Sequence, residues 1–319
     1  MSTMLACVSH SPIIMIRAKA PKEEPEILAL YQDCIDAIQA FDPERVVIFG
    51  SDHFAGFHLR VMPAYCIGLA AEAVDDVGGF GGKLNVPQDD ALALAKSLRA
   101  DGFDPALSYE MRVDHAFSQP LHRLLRGLDR YPVIPIFIGA LAPPYLPFSR
   151  SHQVGSAVGK FIAGLGKRTL VIGSGGLSHH PTRYYPLLGE ATSDVFAYQM
   201  KGAEGGSFTD DEWFTRLRIM HEEGAEMLIS GARTKEDIKL NPKFDEWFLD
   251  RFVAGDLAAF DAMNADETFA RAGIGSLELH TWIAALAAHL AAGGALPDRE
   301  IYAPTLEYGI GYGMAFSQP

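Results

Sequence analysis

The chain predicts an α/β fold: a central, mostly buried sheet covered by helices, with a helix-rich C-terminal half. Three observations carry this. Short β-branched apolar runs recur without polar alternation, as in strands covered on both faces. Longer stretches with apolar residues at helical spacing separate them. The two kinds of segment alternate in the first half, the order expected of a sheet wrapped by helices.

Met4 to Val8 (MLACV) is the first strand-like run and stops at Ser9. Pro25 to Phe41 follows as a helix, with Ile27, Leu28, Tyr31, Ile35 and Ile38 near one face. Arg45 to Gly50 (RVVIFG) is the second strand. Asp89 to Leu98 opens with two acids, which complement the positive end of a helix, and carries Leu92, Leu94 and Ala95. Val133 to Gly139 (VIPIFIG) and Thr169 to Gly173 (TLVIG) are further strands, and Val154 to Leu165 between them is a helix interrupted by three glycines.

From about Thr192 to Ala292 the signal is almost wholly helical, as in EWFTRLRIMHEEGAEMLI and FDEWFLDRFVAGDL. No Pro/Ser linker sets this region apart, so residues 1–319 are expected to form one domain, with 192–292 as a helix-rich layer. Trp282 to Leu296 is the longest apolar stretch. It contains His289 and Gly293-Gly294 and is shorter than the roughly 18–20 residues of a membrane-spanning helix, so it reads as a buried helix. Gly311 to Phe316 reads as a short strand returning to the sheet.

With 319 residues, 48% of them hydrophobic, the chain can bury a core without covalent staples. Its 27 Lys+Arg against 40 Asp+Glu give a net charge of −13, which repels nucleic acid. Cys7, Cys34 and Cys66 form no CxxC pair, against a disulfide framework or a thiolate zinc site and in favour of a reducing cytoplasm. Ser9, His10, Ser11 and Pro12 interrupt the first apolar run and no basic segment precedes it, so no secretory signal is expected.

Four of the eleven histidines share a setting. His10 follows the first strand (CVSHSP), His53 the second (IFGSDHFAGF) and His179 the fourth (VIGSGGLSHHP), while His115 precedes a helical pattern (MRVDHAFSQP). Ligands bind at the carboxyl ends of strands in covered sheets, so these imidazoles are expected to converge in one crevice. His58, His122, His152, His221, His280 and His289 stand in helical or surface-like contexts and read as structural; His180 adjoins His179 and points elsewhere.

Imidazole suits zinc, copper and iron, and two His with one carboxylate and open positions is the non-haem Fe(II) pattern. Asp52 and Asp114 directly precede histidines and read as caps or supporting groups. Glu278, in GSLELHTWIAALAA, is either a ligand or a complement to a helix dipole. His221-Glu222-Glu223 lacks the second His of a zinc-protease helix, and Gly173-Ser174-Gly175-Gly176 fits neither a phosphate loop nor a nucleophile elbow.

CVSHSP, GSDHFAGF, VDHAFSQPL, GSGGLSHHP and LELHTWIAALAA, in this order from about Met4 to Tyr312, resemble the class III (LigB-type) extradiol ring-cleaving dioxygenases. The resemblance implies Fe(II) held by His10, His53 and Glu278, with His115 and His179 as the acid/base residues. It implies opening of a 3-substituted catechol such as 3-(2,3-dihydroxyphenyl)propionate by O2, in a homo-oligomer. Protocatechuate, gallate or an aminophenol are alternative substrates, and a zinc hydrolase on the same histidines is a further reading. Phe54 and Arg112 depart from the pattern, where close members carry a tyrosine and a neutral residue. Arg112, Arg150 and His58 are the groups considered for the substrate's carboxylate, each also readable as plain surface.

Overall fold

The computed structural model describes residues 2–16, 19–181 and 191–318. The chain runs β1 (Thr3–Val8), α1 (Ile13–Ile16), α2 (Glu24–Phe41), β2 (Arg45–Gly50), β3 (Tyr65–Gly68), β4 (Ala71–Ala73), β5 (Gly82–Lys83), α3 (Gln88–Ala100), β6 (Ala106–Ser108), β7 (Met111–Val113), α4 (His115–Leu125), β8 (Val133–Ile138), α5 (Phe148–Leu165) and β9 (Thr169–Ser174). It continues with α6 (Ser193–Lys201), α7 (Asp210–Ile229), α8 (Pro242–Val253), α9 (Leu257–Asp261), α10 (Ala265–Ala272), α11 (Leu279–Ala291), β10 (Arg299–Thr305) and β11 (Ile310–Phe316).

The four apolar runs are the centre of an eight-stranded mixed sheet of order β10-β11-β1-β9-β2-β8-β3-β6. β1, β9, β2 and β8 are parallel neighbours, and each is buried along its whole length. Alternate side chains go to opposite faces. Leu5, Cys7, Val47, Phe49 and Val171 pack with α3, α5, α8 and α11; Met4, Ala6, Val8, Val46, Ile48 and Ile172 pack with α2 and α4. This double covering is why those strands read as unbroken apolar runs.

In register, Val8 of β1 stands opposite Ser174 of β9, and Gly173 opposite Phe49 of β2. The carboxyl ends of three adjacent strands are therefore flush, and the loops that leave them share one edge of the sheet. β11 returns to the sheet, as its sequence predicts, and pairs antiparallel with β1. Among the described residues the second half supplies six helices and two short 3-10 turns before β10, in keeping with the helix-rich reading, and no described helix is long and apolar enough to cross a membrane.

The differences from expectation lie in the shortest and most exposed pieces. β3 to β7 are two to four residues each, too short for a period, and β5-β4-β7 forms a separate small sheet. β10 is half exposed and carries a proline at a sheet edge, where a missing N–H is tolerated. α5 begins at Phe148, well before the apolar pattern that starts at Val154, and α11 ends at Ala291, before the glycines.

Candidate active site

His10 lies just beyond β1, His53 just beyond β2, and His115 is the first residue of α4, whose entry is held by β7. Their ring centroids are 5.6 Å (His10–His53), 5.4 Å (His10–His115) and 4.4 Å (His53–His115) apart. Glu278 ends the 3-10 turn Ile274–Glu278 that leads into α11. It reaches the strand ends because Gly175 has no side chain: a Cβ there would stand 2.7 Å from Glu278 Cβ. His180 anchors the same turn by accepting the Ile274 N–H at 3.2 Å. The His179 ring fills a slot between two glycines; a Cβ at Gly176 or Gly275 would lie 2.3 or 1.9 Å from its Cε1.

Glu278 is 1% exposed, yet every neighbour favours its charge. Its Oε1 is 3.0 Å from His10 Nε2 and 3.4 Å from His53 Nε2, and accepts the Ser51 hydroxyl at 2.5 Å; Oε2 accepts the Gly176 N–H at 2.8 Å. Burial alone would raise this carboxyl, but His10 and His53 hold it well below the usual range. Burial pushes His10 down, against the pull of Glu278. Burial also opposes charge on His53, but Asp114 and Glu278 outweigh it and hold His53 above the ordinary imidazole range.

Each imidazole is fixed from behind. His10 Nδ1 is hydrogen-bonded to Ser174 Oγ at 2.8 Å, His53 Nδ1 to Asp114 Oδ2 at 2.9 Å, and His115 Nδ1 to Asp76 Oδ2 at 2.5 Å. His10 and His53 thus turn Nε2 toward Glu278. His10 Nε2 is buried and has no partner in hydrogen-bond geometry, although the carboxylate is 3.0 Å away. If Nδ1 donates to Ser174, Nε2 carries a lone pair toward the carboxylate, as a metal ligand must, and two imidazoles with one carboxylate suit a borderline divalent ion. Ring nitrogens of His10, His53 and His115 also lie within 4.8 Å of one another.

These groups floor a cavity of about 80 Å³ that opens to solvent. His10, His53, His115 and His179 all line it, so the four histidines expected in one crevice are there. Ile13, Phe54, Val77, Leu217 and Ile310 make much of its wall apolar. Phe54, one of the two departures from the family pattern, holds a left-handed φ of 64° on that wall. Arg112 does not line the cavity and pairs with Asp210 at 2.8 Å. Arg150 bonds Gln153, and His58 packs edge-on against Tyr198; neither is on the wall.

Two groups, one on the cavity wall and one behind it, are among those that escape sequence reasoning. His221, read as structural, lines the wall from α7, with its Nδ1 at 2.8 Å from the Leu217 carbonyl. Asp76, behind His115, is the other; the only sequence hint is its place in VDDVGG, a segment without helical or strand period. The remaining histidines hold the fold: His122 stacks on Phe80, His152 pairs with Asp261, His280 bonds Ser151, and His289 bonds Thr3 and Ala295. Asp52 accepts three backbone N–H groups, from Ala55, Gly56 and Phe57, and Asp114 caps α4 through Ala116, as their positions predict.

The family profile of the catalytic LigB subunit of aromatic ring-opening dioxygenase matches residues 4–308, and the chain belongs to this family. Membership implies a metal cofactor, which the donor set above fits. Within it, a 2,3-dihydroxyphenylpropionate/2,3-dihydroxicinnamic acid 1,2-dioxygenase of Azotobacter vinelandii is 38% identical over 100% of this chain and 99% of that one. Relatives of the same description from Cupriavidus pinatubonensis (37% identical, covering 100% of this chain and 99% of the relative) and Pseudomonas putida (38%, covering 96% of each) also align over nearly their whole lengths.

Proposed function

We propose that this chain is a cytoplasmic, Fe(II)-dependent extradiol dioxygenase that opens 3-(2,3-dihydroxyphenyl)propionate or a related 3-substituted catechol with O2, incorporating both oxygen atoms. The observation that carries the reading is two imidazoles, each anchored at Nδ1, turned onto one buried carboxylate at the carboxyl ends of β1 and β2, on either side of β9. Full-length relatives named for this substrate support it. Residues 1–319 act as one catalytic domain, with 192–292 as its helical layer, in a homo-oligomer.

His10, His53 and Glu278 hold the ion. Such an ion would supply acidification of a catechol hydroxyl and activation of O2. His115 and His179 move the remaining protons. Burial drives both down to about 4, so each is neutral near pH 7 and offers a lone pair to a phenolic proton, to be returned later in the reaction. The apolar wall of Ile13, Val77, Leu217 and Ile310 excludes water and suits the methylene carbons of the substituent.

The clustering of His115 with His10 and His53 favours one second reading, in which His115 replaces Glu278 as third ligand. Metal analysis separates the two. His10→Ala, His53→Ala and Glu278→Ala are expected to lose iron, while His115→Ala and His179→Ala keep it and lose about 10²–10⁴ in turnover. Iron lost from His115→Ala but kept by Glu278→Ala would establish the second reading.

The activity itself is tested by O2 uptake of anaerobically Fe(II)-loaded protein given 3-(2,3-dihydroxyphenyl)propionate, with visible absorbance recorded. One O2 consumed per substrate, with a yellow ring-opened product, is the expected outcome. Turnover of protocatechuate, gallate or an aminophenol instead would move the substrate. No turnover of any catechol by iron-bearing protein would overturn the assignment.

A further inference from the structure

We propose that Asp76 is a positioning residue for His115: it fixes the ring and its tautomer, and it balances the charge that His115 gains on taking a proton. The proposal rests on the reading of His115 as a proton carrier given above.

Asp76 comes from the turn between β4 and β5, far from His115 in sequence, and the fold sets the two side by side. β4 pairs in parallel with β7, Ala73 opposite Val113, and the Val74 N–H continues the ladder to the Val113 carbonyl at 2.9 Å. Both strands therefore deliver their next residues to one place: Asp76 from one, Asp114 and His115 from the other. The turn is shaped for the carboxylate. The Gly79 N–H donates to the Asp76 carbonyl at 3.3 Å, and a Cβ on Gly79 would stand 2.1 Å from Asp76 Oδ1.

The pair is buried, with Asp76 3% and His115 3% exposed. Asp76 Oδ2 meets His115 Nδ1 at 2.5 Å, and Oδ1 is buried without a hydrogen-bond partner. Burial and the neighbouring Asp114 both push the Asp76 carboxyl up, and a buried acid with one oxygen unpartnered costs stability, so holding a loop is a poor account of it. Asp114, by contrast, uses both oxygens, on His53 and on the first turn of α4. The two stacked imidazoles, His53 and His115, thus each have a separate carboxylate at Nδ1.

The chemistry follows from which nitrogen carries the proton. When Nδ1–H donates to Asp76, the neutral ring leaves Nε2 with a lone pair. Proton transfer then breaks a catechol O–H bond, leaves its electron pair on oxygen, and forms Nε2–H; Asp76 becomes the counter-ion of the resulting imidazolium. The same bond breaks when the proton is returned. An amide at position 76 removes that counter-charge and, by donating to Nδ1, drives the ring proton to Nε2, where it blocks acceptance.

Asp76→Asn is therefore expected to lose 10²-fold or more in kcat, with KM changed by less than about threefold and iron content unchanged. In His115→Ala the same substitution is expected to add no further loss, because both remove one function. In metal-free protein labelled with ¹⁵N-histidine, the His115 signals should show the proton on Nδ1, and on Nε2 in Asp76→Asn. If Asp76→Asn does not accumulate as folded protein, Gly79→Ala, which crowds Oδ1, is expected to reproduce the kcat loss.

Equal losses from Asp76→Asn in both backgrounds, a loss confined to iron content or KM, or an unmoved ring proton would each overturn the role of Asp76. Full activity of His115→Ala would instead overturn the reading of His115 beneath it. An impaired His115→Ala beside a fully active Asp76→Asn would sink the Asp76 proposal alone.

Discussion

Asp114 accepts two N–H groups from His53, at 2.7 and 2.9 Å, and one from Ala116 at 2.9 Å, so one carboxylate holds both an imidazole and the start of a helix. Burial would raise its pKa, but His53 and His115 reverse that and keep it charged far below the usual range. Asp114→Ala is expected to weaken metal binding about 10–100-fold, the usual cost of losing the group behind a ligating His. Lost capping of α4 should cost about 1 kcal/mol in addition. Metal-competition titration and urea denaturation read the two effects separately; unchanged metal affinity would remove His53 from the ligand set. At this scale the sequence is informative where chemistry adjoins an apolar run. His10, His53 and His179 follow strands directly, His115 and Glu278 open helices, and the motifs around them carry the family resemblance. Asp76 has no such flank, since β4 and β5 are three and two residues long. His221 lies among exposed acids on α7, and only tertiary packing decides that its side of the helix meets the cavity.

The glycines that weaken α5 as a sequence pattern are its packing surface. Gly155 and Gly159 face Ala284 and Ala288 of α11 so closely that a Cβ on either would stand 2.3 Å from a backbone carbonyl oxygen. That contact lets α11 lie flat on the sheet, with Glu278 at its leading end. Gly164, near the end of the same helix, is exposed, and a Cβ there would meet nothing within 4 Å. Opposite outcomes are expected from one kind of substitution. Gly155→Ala should destabilise by about 1–3 kcal/mol through overpacking, whereas Gly164→Ala should stabilise by about 0.5–1 kcal/mol through helix propensity. Thermal or urea unfolding checks both, and a stabilised Gly155→Ala would show that α5 and α11 can separate at little cost. The long elements were legible because burial on two faces, or on one helical face, leaves a period in the sequence. The edge strands carry none, because their partners and not their side chains define them.

For the whole molecule, the many buried neutral histidines set an acid limit on stability. His280 is the cleanest case: it is fully buried, bonded to Ser151 Oγ at 2.8 Å and stacked on Phe148 at 4.1 Å, joining α11 to α5. Burial drives it down to about 3 from an unfolded value of 6.5. The fold therefore favours the neutral ring. Its contribution is fully present above pH 6.5 and is lost as pH falls toward 3, because the unfolded chain takes up a proton that the folded chain refuses. The loss is about 1.4 kcal/mol per pH unit within that window. Asp52 works in the opposite sense: burial raises it to about 8, so its contribution falls as pH rises from about 4 to 8. Because the two trends overlap, the informative quantity is the difference between two stability curves. For metal-free protein, urea denaturation between pH 4 and 8 should show His280→Gln following the native protein's slope above pH 7. Below pH 6 its stability should fall less steeply, by one proton's worth. Parallel curves throughout would mean that His280 accepts its proton inside the fold, and that the acid limit arises from the histidines at the site instead.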